Sequence, residues 1–158
     1  MVKGQFKILI ISGATASGKS ALAIKNSLEK NGRIINADAM QLYSELPILS
    51  AQPSKVEQKL VPHFLYSVLK HNENSSVAAW LKMAIEQIDL ALQKEQLPIV
   101  VGGTGLYISK LMDGINKVPE PDESLRIEVR QLMQNVEREE LVKILLSLGE
   151  DLLEIEKL

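Results

Sequence analysis

The sequence predicts an α/β fold in which a parallel sheet carries helices on its faces. Short strand-like runs at 8–11, 33–37 and 98–101 alternate with longer stretches of helical periodicity, a pattern typical of βαβ units. A glycine-rich turn of the form G-x-x-x-x-G-K-[ST] occupies residues 13–20, between the first strand-like run and the first helical pattern. Phosphate-binding loops occur in this strand–loop–helix setting. Such sheets bind ligands at the carboxyl ends of their strands, so the site is expected there.

Local signals define the individual elements. Asn31-Gly32 is a C-cap signal for the helix that follows the glycine-rich turn. Ser75 or Ser76 is a candidate N-cap for a later helix. The continuous apolar run 98–101 indicates a strand buried on both faces. In chain order, strands are expected at about 6–12, 33–37, 62–68 and 98–101, and helices at about 18–30, 76–94 and 106–113, with 38–61 irregular and the chain helical beyond Pro119 and Pro121.

This α/β sheet is expected to be incomplete at the C-terminus, because only three or four strands are visible. We expect a phosphate-loop α/β core over 1–118 and a charged helical extension over 119–158. A sheet that lacks strands exposes unpaired backbone groups along an edge, and an uncovered edge favours pairing with another chain. Self-association of the chain is therefore expected.

Composition excludes several classes of protein. The chain has 158 residues, of which 46% are hydrophobic and 24% charged, as in a globular domain. It has no cysteine, which excludes disulfides and thiolate metal sites. Its apolar runs are much shorter than a membrane span, and a cytoplasmic location is expected. The net charge of −2 gives no general attraction to nucleic acid, so RNA binding would depend on local patches.

The glycine-rich turn predicts a binding site for a diphosphate or triphosphate. Gly13 and Gly18 allow successive backbone amides to point at an anion, and the following helix adds the positive end of its dipole. Lys19 supplies a mobile cation for the terminal phosphates, and Ser20 offers a hydroxyl to Mg²⁺. The expected diphosphate-binding residues are Gly13, Ala14, Thr15, Ala16, Ser17, Gly18, Lys19 and Ser20.

Two further loops follow predicted strands, and together the three loops resemble one family. Asn-Ala-Asp-Ala-Met-Gln-Leu-Tyr occupies 36–43, and Gly-Gly-Thr-Gly-Leu-Tyr occupies 102–107. With the phosphate loop in front, this order of motifs resembles the tRNA dimethylallyltransferase (isopentenyltransferase) family over roughly residues 7 to 130. The resemblance implies transfer of a dimethylallyl group from dimethylallyl diphosphate to the exocyclic amine of the adenosine beside the tRNA anticodon.

The resemblance also implies roles for individual residues. Lys19, the loop amides and Mg²⁺ on Ser20 would stabilise the departing diphosphate. Asp38 would be the general base, and Thr104 would help to place an adenine extruded from the tRNA anticodon stem-loop. The residues implied to be catalytic are Asp38, Lys19 and Thr104. Those implied to contact tRNA are Asp38, Ala39, Met40, Gln41, Thr104 and Arg126.

Some positions depart from the family pattern. Members usually carry lysine where Gln52 stands, a second histidine where Phe64 stands and aspartate where Ser67 stands. Gln52 therefore removes a cation near the expected site. Members also continue well past residue 158, into a segment that returns an arginine to the active site and a helical region that clamps RNA.

Two other functions fit part of the sequence. A phosphate-loop small-molecule kinase would need an acidic residue at the end of a buried strand to position Mg²⁺, whereas the run 98–101 ends in Gly102. A non-catalytic remnant would bind a diphosphate without turnover. Single residues also have purely structural explanations. Asp38 could cap a helix, Thr104 could start the next helix, and Arg126 could be a solvated helix residue. Trp80 could be a core aromatic residue, and His63 could be structural.

Overall fold

The computed structural model describes residues 7–115 and 122–149. The chain divides into two compact units, Met1–Ile115 and Asn116–Leu158, which are described separately here. The predicted boundary between 118 and 119 lies outside the described residues. No helix in the described part of the chain is long and apolar enough to cross a membrane.

The first unit is a four-stranded, fully parallel sheet with helices on both faces, which confirms the predicted fold class. The strand order is β1-β4-β2-β3. The strands are β1 (Leu9–Ser12), β2 (Gly32–Asn36), β3 (His63–Phe64) and β4 (Leu97–Gly102). The helices are α1 (Lys19–Lys30), α2 (Lys55–Leu60), α3 (Val77–Gln93) and α4 (Gly105–Asp113), with a short 3-10 turn at Met40–Leu42.

Each face of the sheet packs against its own apolar cluster. The cluster beneath α3 and α4 has Trp80 at its centre, stacked on Tyr107 with 4.4 Å between ring centroids. Its indole Nε1 donates to the carbonyl oxygen of Asn36 at 2.8 Å, so the expectation that Trp80 is a core residue is confirmed. The cluster beneath α1 consists of Ile11, Ala23, Ile34, Val61, Ile99 and Val101, with Leu9, Ile24, Tyr66 and Leu97 packed against it.

The predicted helix ends agree with the structure, with small adjustments. Asn31 ends α1 in a left-handed conformation, with φ of 49°, and its amide donates to the carbonyl oxygen of Ser27. Gly32 already begins β2. Ser76 caps α3, because its Oγ accepts from the amide of Ala79 at 3.1 Å. The alternative cap, Ser75, instead shares a hydrogen bond with the hydroxyl of Tyr107 at 2.9 Å.

Two predicted segments were wrong. Residues 38–61 are not wholly irregular, because they contain the 3-10 turn and α2. Helix α2 begins with a capping box in which Glu57 N donates to Ser54 Oγ and Ser54 N donates to the Glu57 carboxylate. The strand expected over 62–68 is only His63–Phe64. It ends because Leu65 and Ser67 adopt positive φ angles of 62° and 52°, which are incompatible with a continuing strand.

The second unit contains two described helices, α5 (Glu123–Asn135) and α6 (Arg138–Ser147). Both helices expose most of their side chains, as the predicted charged extension requires. Arg126 lies on α5, where its guanidinium is 4.0 Å from the carboxylate of Glu123. Pairs of this kind on an exposed helix surface contribute little to stability.

Candidate functional site

The three loops leave the sheet at one edge because three neighbouring strands end in register. Ser12 at the end of β1 pairs with Gly102 at the end of β4, and Asn36 at the end of β2 pairs with Val101. In a parallel sheet these are all carboxyl ends, so the following loops emerge on the same side. The loop 13–18, the segment 37–41 and the turn 103–104 therefore converge as predicted.

The phosphate loop has the backbone geometry of an anion cradle. Ala16 and Gly18 take positive φ angles of 61° and 84°, and Gly18 occupies the N-cap position of α1 without a side-chain cap. The first amides of α1 are thus free of intrahelical partners and of a capping side chain. Lys19 folds back, and its Nζ donates to the carbonyl oxygen of Ala14 at 2.6 Å.

Asp38 is held by both its backbone and one carboxylate oxygen. Its amide donates to Asn36 Oδ1 at 2.9 Å, and Asn36 Nδ2 donates back to the Asp38 carbonyl oxygen at 2.9 Å. The Oδ1 atom of Asp38 accepts from the amide of Met40 at 3.0 Å and so caps the 3-10 turn. Oδ2 takes no part in that cap.

Thr104 joins the turn after β4 to the loop after β2. Its Oγ1 accepts from the amide of Ala39 at 3.0 Å, and its own amide donates to the carbonyl oxygen of Ala37 at 3.1 Å. Thr104 is the N-cap residue of α4, yet its side chain makes no capping bond there. Its hydroxyl hydrogen is left to donate, since a threonine hydroxyl is both donor and acceptor.

Gly102 is required by the close approach of these two segments. A Cβ atom at Gly102 would lie 2.1 Å from the carbonyl carbon of Ala37. Only glycine permits this contact, because any side chain at position 102 would collide with the backbone of Ala37. The contact brings the backbone after β4 directly against the start of the Asp38 loop.

A cavity of about 260 Å³, called here the site cavity, lies among these loops, although Thr104 does not line it. Lys19, Ser20 and Asp38 all line it, so the glycine-rich loop and the loop after β2 face the same space. Its lining residues are Thr15, Ala16, Lys19, Ser20, Asp38, Met40, Gln41, Leu49, Ser50, Ala51, Tyr66, Val101 and Gly102. A larger groove of about 490 Å³ between α1 and α2 is lined mainly by aliphatic side chains and lacks the phosphate loop. The site cavity is therefore the candidate functional site.

Glutamine side chains hold the loop 46–51 and the segments around it by hydrogen bonds beside the site cavity. The Nε2 atom of Gln41 donates to the carbonyl oxygens of Ser50 at 2.8 Å and Ala51 at 3.1 Å. Gln52 Nε2 donates to the carbonyl oxygen of Tyr43 at 2.7 Å, and its Oε1 accepts from Ser67 Oγ at 2.7 Å. The two positions that depart from the family's lysine and aspartate are thus hydrogen-bonded to each other.

Two titratable groups near the site cavity have altered proton affinities. Burial raises the pKa of Tyr66, and the nearby carboxylates of Asp38 and Glu57 add to this effect. Burial lowers the pKa of His63, against smaller opposing effects of the Val61 carbonyl and Glu57. His63 Nδ1 lies 2.9 Å from the carbonyl oxygen of Val61 and its ring lies 5.6 Å from that of Tyr66, which fits a structural role.

A family model described as "IPP transferase" matches residues 41–154, and a second, "Isopentenyl transferase", matches residues 6–66. The chain belongs to the isopentenyltransferase family. The resemblance seen in the three loop motifs is thereby confirmed.

Curated relatives in this isopentenyltransferase family are similar over most of the chain. A tRNA dimethylallyltransferase of Pelagibacter ubique is 44% identical over 144 residues, which are 91% of this chain and 46% of the relative. One from Zymomonas mobilis is 47% identical over 125 residues, covering 79% of this chain and 40% of the relative. The chain thus spans about half the length of the curated relatives it matches.

Solved structures of isopentenyltransferases share the fold. The full-length tRNA isopentenylpyrophosphate transferase of Bacillus halodurans superposes with a TM-score of 0.70 at 30% identity, covering 89% of this chain and 48% of that one. A eukaryotic dimethylallyltransferase acting on tRNA gives a TM-score of 0.65 at 30% identity, over 72% of this chain and 27% of that one.

Sequence reasoning located the loops but missed two contributors to the site. Asn36 carried a signal, because a polar residue at the end of a buried strand needs a partner. Tyr66 carried none, because its position depends on how the chain turns after β3. Gln52 and Ser67 were expected near the site, but their hydrogen bond to each other was not.

Proposed function

We propose that this chain carries the donor-binding and catalytic part of a transferase that moves a dimethylallyl group from dimethylallyl diphosphate to an adenosine amine in tRNA. The observation that carries the proposal is the convergence of Lys19, Ser20 and Asp38 on the site cavity. An anion cradle and a carboxylate base then face one space that has room for a small phosphorylated molecule. The names of the curated relatives support the substrates.

The donor would bind with its diphosphate in the loop 13–20. The amides of the loop and the first turn of α1 would donate to the phosphate oxygens, and Lys19 would leave the Ala14 carbonyl to join them. When the bond between the allylic carbon and the bridging oxygen breaks, negative charge moves onto the departing diphosphate. Donors already aimed at that group stabilise the transition state more than the ground state.

Mg²⁺ fits the donor set of the site cavity. Ser20 offers a hydroxyl oxygen there, and Mg²⁺ is commonly held by few protein oxygens together with substrate phosphates. No group of three or more acidic or histidine side chains in the described residues forms a metal site by itself. When bound, the ion would neutralise charge on the diphosphate. Ser20 would be its protein ligand.

Asp38 would accept the proton that the amine loses. The exocyclic nitrogen of the adenine forms a bond to the allylic carbon, the bond from that carbon to the diphosphate oxygen breaks, and one amine proton passes to the Asp38 carboxylate. Oδ2 is the oxygen assigned to this step, since Oδ1 is bound to the Met40 amide. Thr104 and the loop 38–41 would contact the extruded base, and the Thr104 hydroxyl hydrogen is the available donor.

The tRNA-binding part of the proposal does not rest on the site cavity. Arg126 belongs to the second unit, and its proposed contact with tRNA rests on the resemblance alone. The chain has 18 basic and 20 acidic residues, so its affinity for a polyanion is expected to be weak and sensitive to salt.

Calorimetry with dimethylallyl diphosphate, inorganic diphosphate and ATP, each with Mg²⁺, tests the proposed ligand. We expect the first two to bind, and Lys19→Ala to weaken both by about 1.5–3 kcal/mol, the contribution of hydrogen bonds to charged groups. Lys25→Ala is the matched control, because Lys25 is an exposed lysine of the same helix outside the site cavity. Tighter binding of ATP with phosphoryl transfer to a metabolite would instead support the kinase.

A further inference from the structure

Tyr66 enters the site cavity from a turn that the chain makes immediately after β3. Its neighbours Leu65 and Ser67 both adopt left-handed φ angles, 62° and 52°. Non-glycine residues rarely adopt this conformation, and here two of them flank one side chain. The ring packs against the cluster beneath α1 and meets the edge of His63.

The hydroxyl of Tyr66 makes no hydrogen bond to any residue that the structure describes. Tyr66 is partly buried, and its hydroxyl oxygen is accessible to solvent. Tyr107, the tyrosine of the opposite face, is buried and shares a hydrogen bond with Ser75. Tyr66 instead lines the site cavity, together with Lys19, Ser20 and Asp38.

The chemistry of this phenol suits a donor. Burial and the neighbouring carboxylates of Asp38 and Glu57 raise its pKa, so the hydroxyl keeps its proton across the physiological range. A neutral phenol adds no negative charge to a cavity that also contains Asp38. What it can offer a ligand is one O–H group, and the ligand that uses it should carry oxygen acceptors.

We propose that the Tyr66 hydroxyl donates a hydrogen bond to the diphosphate held by the loop 13–20. The inference deepens the proposed function and rests on it. The diphosphate is favoured over the adenine because the Tyr66 ring belongs to the cluster beneath α1, and the first turn of α1 carries Lys19 and Ser20. A phosphate oxygen is also the stronger acceptor, because hydrogen bonds to ionised groups are roughly twice as strong as neutral ones.

The test is calorimetric titration of inorganic diphosphate, with Mg²⁺, into the wild-type chain and Tyr66→Phe. The substitution keeps the ring and removes only the unpaired hydroxyl, so we expect an unchanged melting temperature without ligand. We expect diphosphate affinity to fall about tenfold or more, as for a hydrogen bond to a charged group. Tyr43→Phe is the matched control, because Tyr43 does not line the site cavity, and it should bind diphosphate as the wild type does.

A second measurement reports on the hydroxyl directly. With 3-fluorotyrosine in place of tyrosine, inorganic diphosphate should shift the fluorine resonance that Tyr66→Phe removes and leave that of Tyr43 in place. Wild-type affinity in Tyr66→Phe, alongside weakened binding in Lys19→Ala, would overturn the role of Tyr66 and leave the proposed function intact. If the wild-type chain and Lys19→Ala bind diphosphate equally poorly, the proposed function fails and the role of Tyr66 with it.

Discussion

The side-chain oxygen of Thr104 accepts a hydrogen bond from the backbone amide of Ala39 at 3.0 Å. These residues are far apart in sequence and belong to the loops that follow β4 and β2. The bond therefore fixes the distance between the Gly-Gly-Thr-Gly turn and the Asp38 loop. Thr104 thus supports the geometry of the site even before any substrate contact is considered.

Replacing Thr104 by valine should destabilise the chain by about 1–2 kcal/mol, because the partly buried Ala39 amide loses its acceptor. Thr104→Ser keeps the oxygen and should remain within about 0.5 kcal/mol of the wild type. Urea unfolding measures both. Equal stability of the two variants would show that the hydrogen bond contributes nothing to the loop arrangement.

Asp38→Asn separates the structural role of Asp38 from the catalytic one. The amide oxygen of asparagine can still accept from Met40, so the 3-10 turn and the diphosphate affinity should persist. The proton acceptor is lost, and turnover should fall by roughly 10²–10⁴-fold, the usual contribution of a positioned base. Single-turnover transfer by this variant tests the catalytic role, and diphosphate titration of the same variant tests whether binding persists. Unchanged transfer would reduce Asp38 to the cap of a turn.

Gly102→Ala should destabilise the chain by about 3 kcal/mol or more, since the added Cβ would collide with the backbone of Ala37 rather than with a movable side chain. Gly105→Ala is the control within the same motif. Gly105 begins α4 and has open space where its Cβ would lie, so alanine should be neutral or stabilising. Thermal unfolding of both variants measures the two effects. A melting temperature of Gly102→Ala close to that of the wild type would contradict the close approach of Gly102 to Ala37.

The Gln52–Ser67 hydrogen bond predicts coupling between two positions. Gln52→Lys and Ser67→Asp restore the residues usual in the family one at a time, and the double variant restores an ion pair. A double-mutant cycle should give a favourable coupling of about 0.2–1 kcal/mol, the range for exposed pairs. Zero coupling would mean that the pair does not form when charged.

Self-association is predicted from the position of β1. In the described residues β1 pairs with β4 on one side only, so it forms an edge of the sheet. Sedimentation velocity should show dimers or larger species whose amount rises with concentration. Ile8→Lys places a charge beside this edge, at a residue that is 40% exposed, and should reduce association. A wild-type chain that stays monomeric at all concentrations would contradict this prediction.

The sequence was sufficient to predict those elements whose conformation is specified by neighbouring residues. The glycine-rich loop, the left-handed Asn31 and the buried run of β4 each specify their own conformation, and all were found where expected. The geometry of the site could not be predicted in this way, because the Thr104–Ala39 hydrogen bond and the contact of Gly102 with Ala37 join residues that are distant in sequence. Tyr66 shows the limit most clearly. It lies between Leu65 and Ser67, whose positive φ angles no local propensity favours.

The central claim is tested most directly by isotope transfer from labelled dimethylallyl diphosphate to unmodified tRNA. Since the chain spans about half of its relatives, it should be assayed alone and fused to the remaining part of the Pelagibacter ubique relative. We predict little transfer by residues 1–158 alone, clear transfer by the fusion, and loss of that transfer with Lys19→Ala or Asp38→Asn. A folded fusion that transfers no label, while the intact relative does, would contradict the account.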